Sequence, residues 1–157
     1  MMIRKELKKA ALAAVVVAFS MGAAWAGDHP TAADAEAMVK KAVAFAQANG
    51  KDKAIAEINN TQGQFRAGEL YLMVQGADGS VVAHGANSKL VGKMMINAKD
   101  VDGKPFVQEI INAAKAKNGS WTEYKFTNPV SKKVEPKAMY CEHLDDANFV
   151  CGGYFKG

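Results

Sequence analysis

The sequence has little from which a cofactor site or a catalytic centre could be built. It contains two cysteines and three histidines in 157 residues, too few for a four-cysteine zinc site, and no C-x-x-C motif. The P-loop, the G-x-G-x-x-G fingerprint, the H-E-x-x-H motif and the G-x-S-x-G nucleophile motif are also absent. Nothing in these patterns supports catalysis, so we expect a protein that is not an enzyme and that carries no cofactor or metal.

The first 26 residues have the three parts of a secretory signal peptide. Basic residues cluster in Met1–Lys9, the stretch Ala10–Ala26 carries no charge, and it ends in an Ala-Trp-Ala triplet. We therefore predict cleavage after Ala26, which leaves Gly27–Gly157 as a single domain in the periplasm. The uncharged stretch also reaches the lower limit of about 17–25 residues needed to span a bilayer, so an uncleaved anchor is the alternative.

The leader carries most of the net charge. The whole chain has 20 Lys and Arg against 16 Asp and Glu, but four of these bases and only one of the acids precede the cleavage site. The mature chain is therefore nearly neutral, and it has no cluster of Lys and Arg suited to following a phosphate backbone. Nucleic acid is disfavoured as a partner.

Capping residues and hydrophobic spacing predict three helices. A capping box at Thr31 begins the first, a long helix with one apolar face, and Gly50 ends it. A short second helix is expected around Asp52–Ile58. The third, a crossover helix between strands, is predicted over Lys104–Lys117, where apolar residues recur at helical spacing.

Strand patterns follow the first two helices. The predicted strands are Glu69–Gly76, Val81–His84, Ser120–Phe126, Lys137–Glu142 and Phe149–Phe155. Asp-Gly between the first two is a strong signal for a two-residue hairpin loop, which would place Met73 opposite His84 with Tyr71 diagonal on the same face. Helices that precede a mainly antiparallel sheet indicate an α+β fold.

The two cysteines fall on the last pair of predicted strands. In a hairpin centred between them, Cys141 and Cys151 face each other directly. Because export would place the chain in an oxidising compartment, we predict a disulfide between them. The alternatives are two buried thiols or, with less support because there is no C-x-x-C motif, a redox pair.

Short motifs follow one another in a recognisable order along the mature chain. They are the Tyr71 strand, Asp78-Gly79, Ala83-His84, Leu90 to Lys93, Asp102 to Lys104, Trp121 to Tyr124, Asn128-Pro129, Pro136-Lys137 with Tyr140, and Gly152 to Tyr154. In this order, from about Thr31 to Phe155, the chain resembles the single Cache domain, the PAS-like extracellular sensor domain of bacterial chemoreceptors and sensor kinases. The resemblance implies an antiparallel sheet preceded by a long N-terminal helix, with a small-molecule pocket over the sheet.

The resemblance also implies ligands and partners. Related domains bind small molecules, often short carboxylates or amino acids, and pass the signal through the N-terminal helix, which also mediates homodimers. This sequence ends at Gly157 without a kinase or methyl-accepting module. We therefore expect a free-standing periplasmic protein that presents its bound form to a separate membrane sensor kinase, chemoreceptor or transporter.

By the same resemblance, eight residues are candidates for the pocket. They are Tyr71, Met73, His84, Lys93, Trp121, Tyr124, Lys137 and Tyr140. A small carboxylate needs a cation or directed donors together with an apolar wall, and this set offers both. Strict alternation puts Lys137 and Tyr140 on opposite faces of their strand, so both reach one pocket only if Pro136 marks a bulge.

The sequence thus favours a periplasmic binding protein of the sensor type that recognises a short organic acid or a similar anion. Two other classes stay open. One is a structural or interaction protein with the same fold and a filled pocket. The other is a redox protein that uses Cys141 and Cys151.

Overall fold

The structure, a computed structural model, describes residues 29–157. The predicted signal peptide and its cleavage site lie outside the described residues. Among helices in the described part of the chain, none has the length and hydropathy that a membrane crossing requires.

Helix boundaries follow the capping signals. The helices are α1 at Ala32–Asn49, α2 at Lys51–Asn59 and α3 at Phe106–Ala116, with a 3-10 turn at Ser88–Leu90. The predicted capping box is present, since the Thr31 hydroxyl accepts from the Asp34 amide and the Asp34 carboxylate accepts from the Thr31 amide. Gly50 ends α1 at a φ of 94°, in the left-handed region that favours glycine.

The crossover helix α3 begins two residues later than predicted. Pro105 directly precedes it, and a proline disfavours helical geometry in the residue before it, which here is Lys104. The hydrophobic spacing identified the helix correctly, and the proline sets its first turn.

Six strands of residues 29–157 form one antiparallel sheet. They are β1 at Arg66–Ala67, β2 at Leu70–Gly76, β3 at Val81–His84, β4 at Ser120–Thr127, β5 at Val134–His143 and β6 at Asn148–Phe155. The strand order in the sheet is β1-β2-β6-β5-β4. Strands β1 and β3 pair with the same edge of β2, β1 near its start and β3 further along it. This arrangement confirms the α+β fold with its long N-terminal helix and crossover helix.

The hairpin between β2 and β3 differs from the prediction in its loop. The register shifts between Val74 and Gln75, and the Gly76 amide donates to the Ser80 carbonyl, so the loop has three residues (77–79) and not the predicted two.

The predicted pairings of Met73 and of the cysteines are confirmed. Met73 lies opposite His84, and Cys141 lies opposite Cys151 with a disulfide between them. In contrast, β5 begins at Val134, earlier than expected, because the strand continues through Pro136. That proline pairs with Lys125 in an unshifted register and its carbonyl accepts from the Lys156 amide.

The sheet separates two cores. On one face, α1 and α2 pack against Leu70, Leu72 and Val74 of β2. On the other face, α3 packs with side chains such as Met73, Tyr124 and Phe149. Because successive side chains of a strand point to opposite faces, each strand contributes alternate residues to each core.

Close approach of α1 to the sheet depends on a glycine. A Cβ atom at Gly152 of β6 would lie 2.5 Å from Leu72 Cδ2 and 3.0 Å from Val39 Cγ2. Since Val39 belongs to the buried face of α1, the helix rests almost directly on the β6 backbone.

The disulfide gives the first testable prediction. Replacing both Cys141 and Cys151 by alanine should lower the free energy of unfolding by about 2–3 kcal/mol, because the bridge closes a loop with a sequence separation of 10. Urea denaturation of the variant and of the oxidised wild type measures the difference. An unchanged urea midpoint would contradict a stabilising role for the bridge.

Candidate ligand-binding site

A narrow cavity, partly open to solvent, lies between the sheet and α3. Its polar lining consists of Tyr71, Gln75, His84 and Tyr124. Its apolar wall consists of Met73, Val81, Leu90, Met95, Phe106, Val107, Ile110 and Phe126. The lining contains no acidic side chain, so the cavity combines neutral hydrogen-bonding groups with a hydrocarbon wall.

Lys137 of β5 is buried beside this cavity. Its side chain is on the same face as Tyr71, and the residue is only 1% exposed. The Nζ atom donates a hydrogen bond of 2.8 Å to Tyr71 Oη. It also lies 4.1 Å from the centre of the Tyr71 ring, 5.0 Å from that of Phe155 and 5.6 Å from that of Phe126. Aromatic faces and one hydroxyl therefore form its surroundings.

This lysine lacks an acidic partner among residues 29–157. The ion pairs that lysines form in this part of the chain involve Lys40, Lys51, Lys104, Lys125 and Lys156. Burial without a counter-ion disfavours the ammonium form and lowers the pKa of Lys137 to about 7. Lys137 does not itself line the cavity, but Tyr71 and Phe126, which touch it, do.

A glycine makes room for the lysine side chain. Gly153 of β6 pairs with Tyr71 on one side and Met139 on the other. A Cβ atom at Gly153 would lie 2.7 Å from Lys137 Cε and 2.6 Å from the Ala138 carbonyl oxygen. The lysine stem therefore crosses the sheet over a position that has no side chain.

His84 lines the cavity, and its two ring nitrogens differ in their contacts. Its Nδ1 atom accepts hydrogen bonds from the amides of Ala86 (3.3 Å) and Asn87 (2.9 Å), which places the proton of the neutral ring on Nε2. Burial, and then the charges of Lys137 and Arg66, lower the pKa of His84 to about 4. The neutral imidazole therefore offers an N–H donor at neutral pH.

The free side of the imidazole is accessible. Its Nε2 atom has no hydrogen-bond partner among residues 29–157. In that range every fully buried polar atom of a side chain does have a partner, so Nε2 is not one of the fully buried atoms. The Nε2 atom therefore keeps some accessible surface, and His84 lines the cavity. The Tyr71 ring packs on the imidazole with 4.9 Å between ring centres.

Two tyrosine hydroxyls complete the donor set. Burial raises the pKa of both Tyr71 and Tyr124, which keeps their hydroxyls protonated. Tyr71 Oη accepts from Lys137, so its own proton remains for another acceptor. Tyr124 stacks on Phe106 at 4.5 Å between ring centres, and its hydroxyl has no partner among residues 29–157. A carboxylate could accept from both hydroxyls and from His84 Nε2.

The structure brings together only part of the predicted set. Tyr71, Met73, His84 and Tyr124 line the cavity and Lys137 lies behind Tyr71. Whether these five residues bind a ligand stays a prediction.

Tyr140, Trp121 and Lys93 lie away from the cavity. Because no bulge occurs at Pro136, Tyr140 points to the α1 face, where its hydroxyl donates to Glu142 and accepts from Lys40. Trp121 is 39% exposed and packs on Tyr140. Lys93 is exposed, and only its backbone is engaged: its carbonyl accepts from the Val81 amide and its amide donates to the Leu90 carbonyl.

Several lining residues were not in the predicted set. Phe106 and Ile110 belong to the apolar face of the crossover helix, so helical spacing could have predicted that their side chains face the sheet. Gln75 is a polar residue within a buried strand, on the same face as Tyr71 and Met73. A polar side chain in such a position is a sequence signal for a residue that lines the cavity. Leu90 and Met95 come from a loop segment, where periodicity gives no direction.

Metal-ligating side chains are dispersed over the described chain. In residues 29–157 no group of three or more His, Cys, Asp or Glu is arranged to hold a metal ion. His143, the last residue of β5, has acidic neighbours in the sequence and contacts the Ala114 carbonyl oxygen through Nε2 at 2.8 Å.

The sequence pattern of the family called single Cache domain 2 matches residues 31–156, nearly all of the described chain. The chain belongs to the single Cache domain family. Family membership, the long α1 and the antiparallel sheet agree, and they confirm the PAS-like Cache fold. Domains of this family are extracellular or periplasmic sensor domains. Among curated proteins, none matches this sequence.

Three solved structures share the fold of this Cache domain. A methyl-accepting chemotaxis protein from Vibrio parahaemolyticus RIMD 2210633 is 20% identical with a TM-score of 0.67, over 78% of this chain and 86% of that one. A periplasmic sensor domain of a chemotaxis protein is 21% identical with a TM-score of 0.60, over 78% and 88%. A Cache chemosensory domain described for carboxylic acid recognition is 18% identical with a TM-score of 0.62, over 78% and 86%.

The buried lysine gives the second prediction. Lys137→Met should raise the free energy of unfolding of the ligand-free domain at pH 6 by at least about 1 kcal/mol, because it removes a buried charge without a partner. This gain should shrink as pH rises from about 7 towards 10.5. In that range the wild-type lysine must lose its proton on folding, and the free-energy cost of that deprotonation falls as the pH rises.

Urea denaturation at pH 6, 8 and 9.5 measures both parts of this prediction. Lys93→Met is the matched control, because Lys93 is an exposed lysine whose loss should change stability little at any of these pH values. If Lys137→Met were destabilised equally at all three values, burial of an unpaired amine would not describe this position.

Proposed function

We propose that this Cache domain binds a short carboxylate in the cavity between the sheet and α3, as a sensor-type protein without catalysis. The observation that carries the proposal is Lys137, a buried amine without an acidic partner among the described residues, next to a cavity with three N–H or O–H donors. A carboxylate supplies the missing negative charge and the missing hydrogen-bond acceptors together.

The lining favours a monocarboxylate with a short hydrocarbon tail. Beyond its polar residues the cavity is walled by apolar side chains, which include Met73, Val107 and Ile110. A second carboxylate would be desolvated against that wall, and an α-ammonium group would find no acidic side chain in the lining. Amino acids, the other expected ligand class, are therefore less suited. The structural neighbour described for carboxylic acid recognition supports the choice.

Export and signalling belong to the same proposal. The leader pattern of residues 1–26 and the disulfide of the structure are both typical of a periplasmic protein. We expect the ligand-bound form to be presented to a membrane sensor kinase, chemoreceptor or transporter, with α1 as the signalling or dimerising element.

Ligand binding is tested first by thermal stability. Acetate, propionate and butyrate should raise the melting temperature of the purified domain, because a ligand that binds only the native state stabilises it by mass action. Alanine and succinate, added at the same concentrations, should raise it less. If no monocarboxylate shifted the melting temperature of protein refolded free of co-purified ligand, the proposal would fail.

A pair of tyrosine variants locates the binding site. Tyr71→Phe removes one donor to the carboxylate and should weaken binding roughly tenfold to a hundredfold, because hydrogen bonds to charged groups contribute about 1.5–3 kcal/mol. Tyr140→Phe makes the same change on the opposite face of the sheet and should leave the dissociation constant unchanged. Equal effects of the two variants in calorimetric titrations would argue against this cavity as the site.

Processing is tested by mass spectrometry. Full-length protein expressed in a Gram-negative host should appear in the periplasmic fraction with the mass of residues 27–157 and with the cysteines oxidised. A membrane-bound product that keeps residues 1–26 would identify the leader as an anchor instead.

A further inference from the structure

The buried amine of Lys137 has no neighbour that could stabilise its positive charge fully. The residues that face it are Tyr71 from β2, Phe126 from β4 and Phe155 from β6. They offer one neutral hydroxyl and the faces of three aromatic rings. Cation–π contacts are favourable, but they do not replace the hydration that an ammonium group loses on full burial.

The other titratable or charged groups nearby do not compensate either. His84 of β3 and Tyr124 of β4 line the same cavity and are neutral near pH 7. Arg66 of β1 is positive, and its guanidinium donates to the Gly85 carbonyl oxygen. The acids closest in sequence to Tyr71 and Lys137 are Glu69 and Glu135, and both accept from Asn128 instead. Among residues 29–157 no acidic side chain forms an ion pair with Lys137, so a bound anion would supply the counter-charge.

We propose that the cavity takes up one proton together with each carboxylate, and that Lys137 is the group that receives it. This inference rests on the proposed function, because it concerns the carboxylate in the same cavity. The balance is simple: the neutral amine gains a proton from solvent to become ammonium, the ligand stays ionised, and the occupied site is neutral overall.

Geometry supplies the route by which the two charges meet. Tyr71 Oη is 2.8 Å from Lys137 Nζ and belongs to a residue that lines the cavity. A carboxylate that accepts the Tyr71 proton would be joined to the ammonium through one hydroxyl, in the order carboxylate, hydroxyl, ammonium. The ammonium only donates and the carboxylate only accepts, whereas the Tyr71 hydroxyl does both, and such a relay strengthens the neighbouring bonds.

Other groups are poorer candidates for the proton. His84 Nδ1 already accepts from two backbone amides, and protonation there would require both bonds to break. The tyrosine hydroxyls are already protonated. The ammonium form of Lys137, with a pKa of about 7 in the ligand-free domain, is the one that a bound anion stabilises near neutral pH.

It follows that affinity for the anion should fall as pH rises above the pKa of Lys137. At pH values well below that pKa, Lys137 is charged before the ligand arrives, and the dissociation constant should not change with pH. Above it, each pH unit should raise the dissociation constant about tenfold, until the pKa of the occupied site is reached. The domain would thus report the carboxylate together with acidity.

Calorimetric titration of the wild-type domain with propionate tests this directly. At pH 8.5, titrations in phosphate and in Tris, whose ionisation enthalpies differ, should show uptake of nearly one proton per propionate bound. At pH 6 the uptake should fall towards zero. Binding at pH 8.5 without proton uptake would overturn this inference and leave the proposed function standing, whereas no binding at any pH would overturn both.

Two variants assign the proton to a residue. Lys137→Met should abolish the uptake and the pH dependence together, while His84→Gln should keep both. Loss of the uptake in His84→Gln would overturn the assignment to Lys137. If Lys137→Met bound too weakly to titrate, the Nζ resonance of wild-type protein labelled with nitrogen-15 lysine decides: at pH 8.5 propionate should shift it to the ammonium position, and an unchanged resonance would contradict the inference.

Discussion

The hydrogen bond from Lys137 Nζ to Tyr71 Oη joins two strands that are not neighbours in the sheet. Tyr71 is on β2 and Lys137 on β5, with β6 between them, so the lysine side chain passes over β6 to make the bond. The bond is possible because β6 has Gly153 at the crossing point. It places a basic group at the margin of an otherwise neutral cavity, and the chemistry proposed for the site depends on that placement.

The two faces of the sheet separate two tasks. The face towards α3 holds the cavity and its donors, while the face towards α1 holds an apolar core and the Lys40, Tyr140 and Glu142 cluster. The cavity lining and the helix packing therefore use alternate residues of the same strands.

Local sequence rules predicted the features that local geometry controls. The Thr31 capping box and the cysteine pairing each depend on a few adjacent or directly opposed residues, and both were correct. The Asp78-Gly79 hairpin was predicted at the right place, but its loop is one residue longer than predicted. The two-residue strand β1 was missed because it is too short to show alternation.

The composition of the cavity depends on tertiary structure, and there sequence reasoning reached only part of the site. Alternation left Lys137 and Tyr140 on opposite faces, and only the three-dimensional register shows that Pro136 introduces no bulge between them. Leu90 and Met95 reach the cavity from a segment without periodic structure, so no spacing rule could assign their direction. The resemblance to Cache domains named Trp121 and Lys93 through motif position, but position along a strand or loop does not fix which surface a side chain reaches.

Gly152 and Gly153 are consecutive, and each serves a different face. At Gly152 the side chain of Val39 in α1 approaches the β6 backbone, and at Gly153 the stem of Lys137 does the same from the other side. Helix α1 and the Lys137 side chain are thus separated at this point by the thickness of one polypeptide backbone. Any displacement of the lysine stem by a ligand would press on a strand that has no side chains there to absorb it, and α1 is the next structure behind that strand.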